Sequence, residues 1–202
     1  MQSDDAQRKG NSFFIRTEAH FTLNFLVYIH NIFLNQRSSE ADRFPYWSYD
    51  VKFVEEGTFQ IAFNEKWNYL IGQLAEQPKN DQLIFYENSE FFYKGLFQET
   101  KENEAQFIEI KQSFLIWWKS FAGCFVIERT IDNHLHEKVY QSLTAAVIQS
   151  GKELKGELQI SLVYDKVHFA VESEHSYFAV LPISDFYLSK NDLLDRLQNC
   201  IN

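Results

Sequence analysis

Residues 157–182 read ELQISLVYDKVHFAVESEHSYFAVLP, and the fold turns on how this stretch pairs. Leu158, Ile160, Leu162 and Tyr164 recur at every second position, then Val167, Phe169 and Val171, then Tyr177, Ala179 and Leu181. A period of two sends successive side chains to opposite faces of a pleated strand, so each run reads as a strand with one buried face. Asp165 with Lys166, and Ser173 to Ser176, separate the runs as turns. Short polar links between alternating runs predict a three-stranded antiparallel meander.

Helical spacing flanks this stretch. Leu135, Val139, Leu143 and Val147 form an i+4 row that predicts a helix from Thr130 to Ser150, with Gly151 just past its end. Beyond the meander, Ser189 and Asp192 resemble a capping box for a terminal helix through Leu193, Leu194 and Leu197. Upstream, Phe107, Ile110, Phe114, Trp117, Trp118 and Phe121 predict a helix from Asn103 to Phe121, with Gly123 at its boundary and a strand from Cys124 to Glu128. A first helix is expected from Thr17 as N-cap to Asn35, apolar around almost its whole circumference and therefore central and buried.

Between the first two long helices the period changes. Val51 with Phe53, a turn at Glu55, Glu56 and Gly57, then Phe59, Ile61 and Phe63 read as a β-hairpin. Asn64 is placed to cap a short helix through Trp67, Leu70, Ile71 and Leu74, which Pro78 stops, and residues 82–86 read as a strand.

The predicted class is α+β, with an antiparallel sheet made of the N-terminal hairpin and the C-terminal three-strand meander, packed with long aromatic-rich helices. Residues 1–11 lack an apolar period and are expected to be disordered, leaving residues 12–202 as one domain. The element order hints at a degenerate duplication of an α-β-β-α unit, with halves at about 12–100 and 101–202. The predicted core joins Phe25, Ile29, Trp67, Leu70, Phe114, Trp118, Leu143 and Leu162.

Composition narrows the function classes. Lys and Arg number 19 against 28 Asp and Glu, a net charge of −9 with no basic cluster, which argues against nucleic acid as a partner. The apolar run from Phe21 to Leu34 is shorter than the roughly 20 residues a spanning helix needs, so no membrane association is expected. Cys124 and Cys200 fall in no disulfide or zinc pattern, so a reducing, cytoplasmic setting is expected. With 20 Phe, 10 Tyr and 4 Trp, aromatic rings must fill the core or line an interface.

No linear nucleophile or phosphate-loop motif occurs, and no cofactor is expected. The imidazoles offer the remaining catalytic chemistry. His134, His136 and Glu137 carry metal-ligating groups, but on a helix residues two apart point about 200° from each other, whereas ligands on one helix sit at i, i+3 or i, i+4. His168 and His175 lie near Glu172 and Glu174 in the meander and complete a weak metal set.

The stretch from Asp81 to Ile110 differs from the rest. Seven carboxylates (Asp81, Glu87, Glu90, Glu99, Glu102, Glu104, Glu109) face only Lys94 and Lys101, with aromatic residues interleaved. Aromatic anchors in an acidic field suit capture of a basic protein, and Glu87, Glu90, Phe91, Phe92, Tyr93, Glu99 and Glu102 are the expected partner-binding residues. The chain therefore reads as a non-catalytic acidic interaction protein of inhibitor, bacterial-immunity or chaperone type. The alternative is a small hydrolase or metal-dependent enzyme whose His and Glu groups converge only in the fold.

Overall fold

A computed structural model of the chain describes residues 13–37, 43–151, 156–169, 175–188 and 190–201. Residues 1–11, Val171, Glu172, Glu174 and Ser189, on which expectations were placed, lie outside these. Three strands and nine helices occur among the described residues. In chain order the first are β1 (Phe14–Glu18), α1 (Phe21–Asn35), α2 (Glu56–Glu76), α3 (Asp81–Glu87), α4 (Ser89–Tyr93) and α5 (Lys101–Lys119). There follow α6 (Val126–Thr130), α7 (Asn133–Gln149), β2 (Glu157–Val163), β3 (Phe178–Pro182), α8 (Asp185–Leu188) and α9 (Lys190–Asn199).

The sheet has the order β1-β2-β3 and every pairing is parallel, which overturns the expected antiparallel meander. Ile15 lies opposite Leu158, and Ile160 opposite Ala179. Asp165 and Lys166 do not close a hairpin. β3 runs in the same direction as β2, so the two are not joined by a tight hairpin turn. Val167 and Phe169 lie between them in the chain, half-buried and outside any strand. The helix expected from Thr17 begins later: residues 14–18, which include the expected N-cap, form β1 and pair with β2, and α1 starts at Phe21.

The expected hairpin over residues 51–63 is mostly helix. Phe59, Phe63, Trp67, Leu70, Ile71 and Leu74 are buried on one face of α2, while Ile61, midway between the first two, is 65% exposed. A spacing of four satisfies both a period of two and a helical stripe, and the exposed Ile61 shows which one holds. Val51 and Phe53 stay extended, Phe53 forming an isolated antiparallel bridge to Phe97. The hairpin that suggested a repeated unit is thus absent from the described residues. Residues 82–86 are helix α3, whose Asp81 and Phe85 are buried at i, i+4 while Leu83 and Tyr86 face out. Cys124 to Glu128, read as a strand, belongs to a π-helical turn at Phe121–Phe125 and to α6.

The long helices stand where helical spacing put them. Thr100 Oγ accepts the Asn103 N–H at the start of α5, Asp132 caps α7 through the Leu135 N–H, and Gly151 follows α7 at φ +74. α1 is buried from Thr22 to Phe33 and forms the centre of the molecule. Its N-terminus is capped from afar: the Asp81 carboxylate accepts the Phe21 and Thr22 N–H groups at 2.6 and 3.0 Å. All eight predicted core residues belong to one apolar cluster. Around Phe25 the rings of Phe85, Phe92 and Phe114 lie 5.2, 5.2 and 5.0 Å away, centroid to centroid. None of the described helices is long and apolar enough to cross a membrane.

Candidate functional site: an acidic groove between α4 and α5

Gly95, at φ +75, turns the chain out of α4, and residues 96–100 return it to α5. Between the two helices lies a groove of about 540 Å3. Glu90, Glu99 and Glu104 stand at its acidic rim. The Tyr93 hydroxyl donates to Gln98 O at 2.8 Å and accepts from Thr100 N at 3.3 Å, which holds the turn that presents Glu99. Burial pushes the Tyr93 phenol up, and the nearby Glu104 and Glu99 add to this against a hydrogen bond at Thr100.

The groove also has an apolar part. Phe107 is buried, Leu115 is half-buried and Ile108 is 55% exposed. Glu104, Ile108, Lys111 and Leu115 follow one another at three or four positions, so they share one face of α5. Two lysines sit among these groups. Lys94 pairs with Glu90 one helical turn away. Lys111 donates to Phe85 O at 2.9 Å and to Ser89 Oγ, with its ammonium 4.8 Å from the Phe85 ring centroid. Burial lowers the Lys111 pKa. No ion pair among the described residues engages Glu99 or Glu104.

Of the expected partner residues, the groove brings together Glu90, Tyr93 and Glu99. Glu87 and Glu102 are exposed but stand outside it. Phe92 is fully buried beside Phe25, and Phe91 is half-buried against Tyr69 and beneath Lys66. Asp81 is spent on capping α1. The aromatics of this stretch thus serve mainly the core, and the groove takes its accessible apolar surface from Ile108 and Leu115. A signal for both exists in the sequence: they are seven positions apart on α5, off the buried stripe of Phe107, Ile110, Phe114 and Trp118.

The expected ligands His134, His136, His168 and His175 are not gathered into one cluster. His134 is exposed on α7, and the His136 Nε2 lies 3.1 Å from Ile15 O, a backbone carbonyl of β1. Glu137 accepts from Gln141 on the same helix. His168 accepts from the Arg43 guanidinium at 2.7 Å, and His175 forms a local bridge with Phe178. Among the described residues no group of three or more His, Cys, Asp or Glu is placed to hold a metal ion.

Three polar assemblies were not foreseen. His20 Nδ1 lies 2.8 Å from Ser161 Oγ and its Nε2 lies 2.9 Å from Glu18 Oε1, an order of groups like that of a nucleophile triad. Ser161 is fully buried in the central strand and His20 nearly so, which leaves the hydroxyl without a path to substrate. At the carboxyl end of β2, Arg43 bridges Asp165 at 3.1 Å and His168, while Asn31 donates to Asp165 at 2.9 Å and to Phe44 O at 2.8 Å. Beside β3 a cavity of about 260 Å3 contains the Asp185 carboxylate, ion-paired to Arg196 at 2.7 Å and to Lys166 at 3.2 Å. The Cys124 thiol is pushed up to about 12 by burial and then by Glu128, far from a reactive thiolate.

No family model matches the chain, and neither do any of the curated proteins or solved structures compared with it.

Proposed function

We propose that this is an interaction protein that holds a basic segment of a partner protein in the groove between α4 and α5, in the manner of an inhibitor, immunity or chaperone protein. One observation carries the reading: the carboxylates of Glu99 and Glu104, in no ion pair among the described residues, stand over an accessible apolar surface. Charge of one sign at a concave site orients an encounter with the opposite sign, and burial of apolar surface then retains it. His134, His136, Glu137 and His168, the groups expected to serve a metal-dependent reaction, do not line this groove.

The test uses a fluorescein-labelled oligolysine peptide as a surrogate for the partner. Because exposed charges are screened over about 10 Å at 0.1 M salt, binding should weaken as salt is raised. The double reversal Glu99→Lys with Glu104→Lys should weaken it by about tenfold or more at low salt, with an unchanged circular dichroism spectrum. Equal binding by wild type and variant at both salt levels would remove the groove as the partner site.

A further inference from the structure

We propose that the groove is a two-part site, in which a lysine or arginine side chain of the partner replaces the Lys94 ammonium between Glu90 and Glu99, and an apolar side chain of the same segment seats on Ile108 and Leu115. The inference rests on the groove being the partner site, and it specifies the chemistry of the segment that binds there.

Lys94 marks the cation position. Its ammonium pairs with Glu90 and lies within the field of Glu99. Both partners in the pair are largely exposed, and an exposed pair one helical turn apart is weak, so a cation from outside can take its place. The lysine stem is free to swing into solvent as it leaves, because Lys94 is exposed. Glu104 stands on the same rim and supplies a further carboxylate to the incoming charge.

Lys111 stands between Ile108 and Leu115 along α5, beyond the acidic end of the groove. Its donors are engaged by Phe85 O and Ser89 Oγ, so it stays in place, and a resident cation in mid-groove opposes any second cation there. The partner's charge is thereby confined to the acidic end. From Glu104 to Leu115 the helix rises about 16 Å at 1.5 Å per residue. An extended segment covers that span in about five residues. The segment that fits carries a basic side chain and an apolar one separated by about that distance.

Fluorescence anisotropy with labelled synthetic peptides tests this. One peptide carries a Lys-Arg-Lys group and a Leu-Phe group about five Ser and Gly residues apart; a second replaces Leu-Phe by Ser, and a third replaces the basic group by Ser. The two-part peptide should bind wild type about tenfold or more tighter than the basic-only peptide, since seating one large apolar side chain is worth at least that factor. Ile108→Ser, at an exposed position, should reduce the two-part peptide to the basic-only level. Lys94→Met should tighten binding of the basic-only peptide by about threefold or more, because the internal competitor is gone. Salt-dependent binding with no gain from the Leu-Phe group, or weaker binding by Lys94→Met, would overturn the two-part site and leave the acidic groove standing. No binding of any basic peptide to wild type would overturn both.

Discussion

His30 shows how far a single residue departs from its ordinary chemistry in this fold. Its ring is fully buried, donates from Nδ1 to Asn31 Oδ1 at 3.1 Å and accepts from the His168 N–H at 3.3 Å through Nε2. Burial lowers its pKa from 6.5 to about 4; His168 and Arg43 push the same way, opposed by the Asn31 hydrogen bond and by Asp165. The folded protein therefore keeps His30 neutral where the unfolded chain binds a proton. This contribution is complete above about pH 6.5 and is lost as pH falls from there towards 4, by on the order of 3 kcal/mol. The urea midpoint of wild type should fall over that window more steeply than that of His30→Gln. Parallel slopes in the two proteins would show that another group carries the acid sensitivity. A histidine on an all-round apolar helix is legible as a buried one. Its partner His168, 138 residues later, is not.

At the scale of elements, the expected hairpin shows how a local pattern can fit two structures. Phe59, Ile61 and Phe63 satisfy the strand period and, with Ile61 set aside, the helical one, so the local pattern leaves two answers open. Stacking of Phe59 on Phe33 of α1, with ring centroids 3.7 Å apart, fits the helical one. Gly123 is a case in which the residue type carried information about a close approach. A Cβ there would fall 2.3 Å from Trp117 O and 2.6 Å from Trp118 Cα, since the turn after α5 folds back onto its last residues. Gly123→Ala should cost about 1–3 kcal/mol through forced displacement of that turn. It should also shift the fluorescence of Trp117 and Trp118, which an effect confined to the unfolded chain would leave unchanged. An unaltered urea midpoint would show that the backbone at 123 has room to spare.

Across the whole molecule the sheet is small, and side chains close both of its edges. On the β1 side, His136 and Tyr140 of α7 donate to Ile15 O and Phe13 O at 3.1 and 3.3 Å. Four residues of helix rise about 6 Å and two residues of strand about 6.6 Å, so helical neighbours meet successive outward carbonyls. On the β3 side, Arg196 donates to Val180 O at 3.2 Å, and Pro182 has no N–H to offer. Uncovered edges invite pairing between chains. The double variant His136→Ala with Tyr140→Phe should stay folded yet associate as concentration rises, measured by light scattering beside wild type. Identical scattering for the two proteins would show that the bulk of α7, without its hydrogen bonds, protects the edge.

The long helices α1, α5 and α7, the central burial of α1 and the aromatic core followed from the sequence alone, because helical periodicity over many residues is a local property of the chain. Strand β2 was legible for the same reason, and so was the acidic character of the stretch that borders the groove. Strand direction, the position of β1 and the exposure of each ring were decided only in three dimensions. Alternation reports two faces but names neither the neighbour nor its direction. In β2, Gln159 and Ser161 read as a solvent face, yet they are buried, because Glu18 accepts from Gln159 at 2.6 Å and His20 meets Ser161 at 2.8 Å from about 140 residues away. Polar groups satisfied by distant partners can be buried as completely as apolar ones. The same reasoning separates the acidic stretch into its parts: its charges were read from composition, whereas packing against α1 took Phe92 into the core and left Ile108 on the surface.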